Sequence, residues 1–479
     1  MGKHLFVTDV NNSINVLESG VLKPVAGSQE LSNEKHFFCY KINAQNYVIG
    51  YRNLGTYLAH YDSLQPTKTS FEKKESQCDK ELVSAEINNG CILKNGHFVV
   101  TTNKKGAYEI DENLNIVGRF NTRNGVYDDN IKSAFQDSNG NLWLSLYYGI
   151  SYVEINSNLF KYDRNNNILG IVASAAYFEN KLFIATDKGV QYYDSLQEKF
   201  IVFENFNKQS WNLLNYKNKL FICTAKGLFV WNNNQIKQIS ETNTNSILND
   251  PYQPDLIYCA TYNGVEVYHV SQKEVTFVRS YELNSNIKSI AVDENKNIYF
   301  ASENNGIYFL NYSNSYTLDS IMEADGLPHQ NIENYVFTYK NKLLVGTDDG
   351  IYILKRESDH KFVCVKDTIF WPLTKGSQVF RASQLDKDLI CTQKFLIKDL
   401  DKTVESVAYF QKSNSGFKQN TGILNRLKNV TPTLITYDDL NKKVFFCANE
   451  GLFILNSNNE QINFKKQFNL ILREFVTKN

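Results

Sequence analysis

Short apolar runs alternate with polar turns along the chain, and each copy of the pattern carries a glycine between two of its runs. The pattern is clearest in residues 137–149, 178–189, 216–227 and 339–350. Successive marker glycines lie 37 to 44 residues apart. They are Gly106, Gly149, Gly189, Gly227, Gly264, Gly306 and Gly350. A repeat of roughly 40–50 residues is the length of one four-stranded propeller blade, so the spacing predicts a propeller-type fold.

The copy near residue 350 shows which strands one unit contains. Apolar and aromatic residues predict strands at 331–339, 343–347, 351–354 and 361–365. Short strands rich in Tyr, Phe, Ile and Val, joined by Asn, Asp, Gly and Lys turns, indicate antiparallel sheet. Glycine ends the central turn because it adopts positive φ without strain. We expect no long helix, and the single short helical candidate lies at residues 424–428.

The number of copies sets the size of the assembly. Gly55 and Gly451 extend the series, and residues 389–397 form a copy that lacks its glycine. We predict an all-β fold of antiparallel four-stranded blades, in ten to eleven units, arranged as two β-propellers of which one is incomplete. One large ring remains the alternative. We place the first group of blades at residues 1–190 and the second at 191–466.

Composition excludes several classes of protein. The 479 residues carry 51 basic and 51 acidic side chains, with no basic stripe that would favour nucleic acid. The sequence contains no run of 18 apolar residues, so no membrane span is predicted. The first residues lack the apolar core of a signal peptide. We expect the cysteines of the second strands to be buried free thiols at one shared position. They are Cys223, Cys259, Cys391 and Cys447.

Two units resemble the two-component regulator propeller repeat. One joins residues 325–332 to 343–352, and the other joins residues 124–131 to 137–143. In that family the repeats form the periplasmic or extracellular sensor region of Bacteroidetes-type hybrid two-component kinases. An Ig-like domain, a membrane helix and a signalling output follow them. The resemblance implies a ligand-sensing fragment whose residues 467–479 begin an Ig-like domain, and which meets a membrane only through segments outside this chain.

Candidate ligand contacts lie where the loop entering the first strand and the turn between the second and third strands open on one face. Aromatic faces there would stack on sugar rings, and polar side chains would bond hydroxyl groups. The expected partner is therefore an oligosaccharide or another small molecule, and a homodimer is a further option. The candidates are Tyr147, Tyr148, Trp211, Tyr262, His329, Trp371 and Arg381.

Packing roles compete with binding at several of these positions. Trp211 is favoured as a residue packed between blades, and Tyr148 would shield a strand edge. Trp143 is predicted to be a core residue. The pairs Asp128–Asp129 and Asp348–Asp349 lie on turns, where we expect solvated carboxylates.

Enzyme motifs are sparse. The seven histidines are dispersed, and no His-x-x-x-His, Cys-x-x-Cys, Gly-x-Ser-x-Gly or phosphate-binding loop occurs. We therefore predict no metal, no cofactor, no catalytic residue and no enzymatic activity for this chain. A carbohydrate-active lyase or hydrolase, with a site gathered from several blades, remains an alternative. A protein-binding scaffold is the third hypothesis.

Overall fold

The chain forms two compact units that divide between Ser157 and Asn158. We describe them from a computed structural model. It describes residues 1–9, 11, 13–31, 34–155, 157–312, 316–358, 361–397, 402–420, 422–427 and 430–457. The expected Ig-like segment at 467–479 lies outside these residues. In the described part, eleven antiparallel sheets account for almost all regular structure, which confirms the all-β propeller prediction.

The second unit contains seven four-stranded sheets, which we call blades 1 to 7. Blade 1 comprises β16 Val172–Phe178, β17 Lys181–Thr186, β18 Gly189–Asp194 and β19 Lys199–Val202. Blade 2 comprises β20 Ser210–Tyr216, β21 Lys219–Thr224, β22 Gly227–Asn232 and β23 Gln235–Gln238. Blade 3 comprises β24 Thr244–Asn249, β25 Leu256–Thr261, β26 Gly264–Val270 and β27 Val275–Glu282. Blade 4 comprises β28 Ile287–Val292, β29 Ile298–Ser302, β30 Ile307–Asn311 and β31 Thr317–Ile321.

The later blades include the copy without a glycine. Blade 5 comprises β32 Tyr335–Tyr339, β33 Lys342–Thr347, β34 Gly350–Ser358 and β35 Lys361–Lys366. A one-turn helix, α2 Trp371–Thr374, precedes blade 6. Blade 6 comprises β36 Ala382–Leu385, β37 Asp388–Ile397, β38 Lys402–Ser413 and β39 Gly416–Gln419. Blade 7 comprises β40 Pro432–Asp438, β41 Lys443–Ala448, β42 Gly451–Asn456 and, from the start of the unit, β15 Leu159–Tyr162.

Blade 7 closes the propeller ring. The first strands of consecutive blades touch from β16 to β40, and β40 in turn touches β16. Strand β15 pairs with β42, with Leu159 opposite Leu455 and Tyr162 opposite Leu452. The expected boundary at 190/191 needs correction, because it falls inside β18. The unit begins before β15, since that strand belongs to the closing blade. Closure of this kind gives every blade of the ring a neighbouring blade on both of its faces.

The first unit contains four sheets in the described residues. Sheet 1 comprises β1 Phe6–Thr8, β2 Ile14–Glu18 and β3 Val21–Pro24. Sheet 2 comprises β4 His36–Lys41, β5 Asn46–Tyr51, β6 Gly55–His60 and β7 Ser70–Lys73. Sheet 3 comprises β8 Ile87–Ile92, β9 Phe98–Thr102, β10 Ala107–Ile110 and β11 Ile116–Phe120. Sheet 4 comprises β12 Ile131–Gln136, β13 Leu142–Leu146 and β14 Ile150–Val153.

A nine-residue helix, α1 Gln77–Ala85, corrects the expectation of no helix beyond residues 424–428. Its N-cap is Ser76, whose hydroxyl accepts a hydrogen bond from the Asp79 amide at 3.0 Å. Leu82 and Ala85 are buried against the sheets. Tertiary packing thus stabilises a helix too short to show a clear period. The predicted candidate at 424–428 is a 3₁₀ turn, Ile423–Leu427.

The marker glycines follow a recurring hydroxyl-capped turn. The hydroxyls of Thr186 and Thr224 donate to the carbonyls of Gly189 and Gly227, at 3.1 and 2.8 Å. Both glycines have positive φ, and a Cβ on Gly189 would lie 2.1 Å from the carbonyl oxygen of Phe206. Glycine is therefore required both by the positive φ of the turn and by the close approach of the next segment. This confirms the prediction that glycine ends the turn for conformational reasons.

The repeated cysteines are buried and unpaired, as predicted. Their shared register needs one correction. Cys223 and Cys447 are the second-to-last residues of their strands, β21 and β41. In β25 that place is taken by Ala260, and Cys259 lies one residue earlier. Cys223 and Cys259 consequently pack in one cluster between blades 2 and 3. Burial raises the pKa of each of these thiols.

The prediction that Trp143 is a core residue is wrong. Its side chain is 43% exposed on sheet 4, where its indole ring lies 4.9 Å from that of Tyr152. The indole N–H donates to Asp137 at 3.2 Å. Sheet 4 is the last sheet of its unit, so no further sheet of that unit covers the side chain.

Candidate functional site

The candidate residues separate into scattered and convergent groups. Tyr147 and Tyr148 are exposed on the β13–β14 turn of the first unit, with ring centroids 4.6 Å apart. Tyr262 is exposed on the β25–β26 turn of blade 3. Trp211 lies in β20 of blade 2. None of these four shares a described contact with the other three candidates.

His329, Trp371 and Arg381 converge at one end of blade 5. The β33–β34 turn presents two carboxylates there. Nδ1 of His329 lies 2.6 Å from an Asp348 oxygen, and the indole N–H of Trp371 donates to Asp349 at 3.2 Å. The adjacent pair is therefore engaged, which corrects the expectation of solvated carboxylates. We call His329, Glu333, Asp348, Asp349, Trp371 and Arg381 the blade-5 face.

Buried backbone contacts hold the two loops that supply this face. The side-chain amide of Asn334 is buried and its Nδ2 donates to the backbone carbonyls of His329 and Ile332, at 3.0 and 2.9 Å. In the other loop, the Val379 amide donates to the Thr347 carbonyl at 2.9 Å. Gly346 permits this approach, because a Cβ there would lie 2.4 Å from the Val379 carbonyl oxygen. These contacts hold both loops in place without a ligand.

Arg381 connects three blades through its guanidinium. Nη1 donates to Glu333 at 2.9 Å and to the Phe380 carbonyl, and Nε donates to the Thr433 carbonyl of blade 7 at 2.7 Å. The guanidinium carbon lies 5.4 Å from the ring centroid of Tyr335. Nη2 has no hydrogen-bond partner among the described residues. Arg381 therefore combines a bridging role with donor capacity for a ligand.

Trp371 is less suited to stacking than the sequence suggested. The side chain packs against the hydrophobic cluster of blades 4 and 5. The Lys366 ammonium lies 4.0 Å from its ring centroid. With one side against the core and a cation over the ring, the indole is better placed to orient Asp349 than to stack on a sugar.

The electrostatics of the face favour an ionised Asp349. Burial acts to raise the pKa of this carboxyl, but hydrogen bonds from Tyr352 and Trp371 and the charge of Lys366 outweigh it and lower the pKa. Burial raises the pKa of Tyr335, with partial opposition from Arg381. Oδ1 of Asp348 is buried and has no hydrogen-bond partner in the described residues. Because Oδ1 is enclosed, ligand contacts at this end of the face fall to His329, which is 58% exposed.

Sequence reasoning missed a set of bulged residues at the starts of the first strands. In five blades of the second unit the pairing register shifts after the first residue, which leaves one extra residue in the strand. Asn245 donates to the Ile287 carbonyl and Thr433 to the Val172 carbonyl, each in the next blade. Aligning the repeats on their first strands would have revealed this position. The extra residues are Ala173, Trp211, Asn245, Lys288 and Thr433.

Trp211 is one of these bulged residues. Its Nε1 is buried without a hydrogen-bond partner in the described residues. An indole N–H usually finds a partner when buried. The observation keeps both the packing and the binding interpretation of Trp211 open.

A cavity of about 630 Å³ lies between the first strands of blades 7, 1 and 2, towards their other ends. Tyr177, Asn215 and Tyr437 line it, and so does Thr436, whose hydroxyl is buried without a partner in the described residues. No local sequence pattern indicates this cavity, because the residues that form it lie about 40 and 260 positions apart along the chain.

Comparison with solved structures identifies the fold. The extracellular domain of a B. thetaiotaomicron protein named as a hybrid two component system superposes with a TM-score of 0.66 at 17% identity. The match covers 95% of this chain and 60% of that chain. At this identity the likeness shows the propeller fold alone. The neighbour is of the kind that the repeat resemblance indicated, and this chain spans 60% of its length.

A second B. thetaiotaomicron extracellular domain gives weaker matches. It has been named as part of a one component and of a hybrid two component system, with TM-scores of 0.48 and 0.49. Identities are 15% and 16%, over 96% and 95% of this chain and 65% and 64% of that chain. No family model and no curated protein matches the sequence. Neither described helix has the length or apolar character to cross a membrane.

Proposed function

We propose that this chain is the ligand-sensing region of a two-component signalling protein, acting on the periplasmic or extracellular side, and that the blade-5 face binds an oligosaccharide fragment. The observation that carries the proposal is the convergence of His329, Asp348, Glu333 and Arg381 at one end of a closed ring. The repeat resemblance supports the signalling role. In the family that the repeats resemble, a signalling output follows the sensor region, and this chain spans 60% of the extracellular domain that it matches.

The chemistry of the face suits a ligand rich in hydroxyl groups. Arg381 offers the donor Nη2, and Asp348 orients the imidazole of His329 through Oδ2. Nη2 can donate to one hydroxyl group of a ligand. His329 is 58% exposed and can bond a further hydroxyl. Rigid loops lower the ordering cost of binding, since their conformation is already set.

Calorimetry on the whole chain tests the proposal. The probes are neutral hexasaccharides, such as maltohexaose, xylohexaose and cellohexaose, and each is analysed by chromatography after titration. We expect at least one to bind, and Asp348→Asn and His329→Gln to weaken binding at least tenfold, because the first loses the carboxylate charge that orients His329 and the second loses the imidazole. Binding by no probe, or equal binding by all variants, contradicts the proposed site.

Matched controls exist elsewhere on the surface. Asp255 is exposed and pairs with Lys217, and His60 is exposed and pairs with Glu72 at 3.2 Å. Asp255→Asn and His60→Gln make the same chemical changes away from the blade-5 face. They should leave the affinity unchanged.

A hydrolase or lyase is the second candidate, favoured by the 2.6 Å pairing of His329 with Asp348 beside Glu333. A histidine oriented by a carboxylate is a common general base. Breakdown products in the chromatograms, lost in His329→Gln, would favour the enzyme over the sensor. Intact ligand after titration would favour the sensor.

A further inference from the structure

A groove outside the blade-5 face runs along the side of the second unit between blades 5 and 6. It has a volume of about 330 Å³, at the lower end of the range of roughly 300–1,000 Å³ seen for ligand pockets. Its walls come from the β32–β33 turn, from β34 and β35, and from the β38–β39 turn. Five lysines line it: Lys340, Lys342, Lys355, Lys366 and Lys412.

The positive charge of this groove is largely uncompensated. Asp367 is the one carboxylate in its lining, and its Oδ1 accepts hydrogen bonds from the amides of Ile369 and Phe370, at 2.9 and 2.6 Å. Of the five ammonium groups, only that of Lys366 comes within 4.0 Å of a carboxylate in the described part of the chain, namely that of Asp349. The whole chain has equal numbers of acidic and basic residues, so the excess of lysines in this groove is local.

Aromatic side chains form the floor between the lysines. Tyr339 and Phe370 are buried, and Phe417 is half-buried, with its ring 4.9 Å from that of Phe370 and 6.2 Å from that of Tyr339. The Lys412 ammonium lies 4.9 Å from the centroid of Phe417. The groove therefore combines one partly exposed aromatic ring, that of Phe417, with cations on both of its walls.

We propose that this groove binds an anionic oligosaccharide, one whose sugar rings carry sulfate or carboxylate groups. Lysine is a compact charge without the planar fork of arginine, so dispersed lysines suit several separate anionic substituents better than one fixed phosphate. The half-buried ring of Phe417 can meet the apolar C–H surface of a sugar ring once the exposed side chain of Lys412, which lies over it, turns to an anionic substituent. The site is distinct from the blade-5 face, and either can exist without the other.

The test measures binding of a heparin hexasaccharide to the whole chain in 20 mM salt, with maltohexaose as the uncharged probe. The combined variant Lys340→Gln, Lys342→Gln, Lys412→Gln removes three exposed cations but spares Lys366, which contacts the blade-5 face. We expect at least a tenfold loss of affinity in this variant. Affinity of the native chain should fall as salt rises, because exposed charges are screened.

A matched variant separates a site from general attraction. Lys226, Lys237 and Lys273 are exposed and line no part of the groove. Changing all three to Gln alters the net charge equally, and should leave heparin binding within twofold of the native value. Equal losses in the two triple variants, or no heparin binding at 20 mM salt, would overturn the proposal.

Phe417→Ala tests whether the ligand is a saccharide. We expect it to weaken heparin hexasaccharide at least threefold, with no effect on inorganic polyphosphate, which has no ring to stack. If polyphosphate or a short DNA duplex binds as tightly as heparin and Phe417→Ala changes nothing, the groove is a general polyanion site and the saccharide assignment fails. Thermal midpoints confirm that each variant is folded.

Discussion

The two units are built from one repeat but differ in how the array ends. In the second unit, β15 completes blade 7 and the first strands of blades 7 and 1 touch. In the first unit, sheets 1 and 4 have three strands each among the described residues. The comparison shows that ring closure, more than the repeat itself, decides whether a given position of the repeat is buried.

Trp143 and Phe183 illustrate this difference. Both occupy the same place in the second strand, opposite Tyr152 and Tyr192 respectively. Phe183 is 3% exposed inside the cluster between blades 1 and 2, whereas Trp143 is 43% exposed. An apolar position in the repeat is buried only when a neighbouring sheet covers it.

The marker glycines show the same contrast. A Cβ on Gly451 would lie 2.1 Å from the carbonyl oxygen of Tyr162 in β15. A Cβ on Gly149 would meet no atom within 4 Å, because sheet 4 has no fourth strand beside it in the described residues. Both have positive φ, so only the backbone strain is common to them.

The largest effect is expected from removing the closing strand. Replacing residues 159–162 by Gly-Ser-Gly-Ser should destabilise the second unit by about 6 kcal/mol, since the new segment has low strand propensity, loses two part-buried side chains and detaches, which breaks about four backbone hydrogen bonds. Hydrogen exchange followed by mass spectrometry would show faster exchange in β16 and β40. The same replacement of β3, which is exposed along its length, should leave the second unit unchanged. Unchanged exchange after loss of β15 would show that closure does not stabilise the propeller.

A smaller effect should separate Phe183 from Trp143. Phe183→Ala opens a cavity between blades and should cost about 3–5 kcal/mol in the free energy of unfolding. Trp143→Ala removes a half-exposed side chain and should cost about 1 kcal/mol or less. Denaturant titration of both variants measures the two values. Similar losses would mean that Trp143 packs as tightly as a core residue.

The smallest difference concerns the glycines. Gly451→Ala combines strain with a clash against the Tyr162 carbonyl, and should cost about 3 kcal/mol. Gly149→Ala carries strain alone and should cost about 1 kcal/mol. Denaturant midpoints read by exchange in β42 and β14 compare the two directly. If the two glycines tolerate alanine equally, the close approach of β15 is not what requires Gly451.

The repeat could be predicted from sequence because its information is local. Strands at 343–347 and 361–365 were recognised from apolar residues and turns within a few positions, and the structure has Lys342–Thr347 and Lys361–Lys366. The closing strand could not be recognised in this way. Residues 159–162 pair with a segment almost 300 residues later, and nothing in Leu-Phe-Lys-Tyr names that partner.

The site was only partly predictable for a related reason. His329, Trp371 and Arg381 were found because they interrupt the repeat, and the structure brings them to one blade. No sequence pattern marks their partners Asp348 and Glu333, because side-chain direction on a turn or loop depends on the segments packed around it. Tyr147, Tyr148 and Tyr262 interrupt the repeat equally well but lie on separate turns.

The pairing of β15 with β42 also has a consequence for synthesis on the ribosome. Strand β15 emerges roughly 290 residues before its partner. At about 5–20 residues per second, it waits roughly 15–60 s with both edges unpaired. Its sequence, Leu-Phe-Lys-Tyr, places the exposed Lys161 at its centre, and a lysine on an open strand disfavours pairing with a neighbouring nascent chain. The charge that contributes little to the finished propeller would thus protect the chain during the interval before it closes.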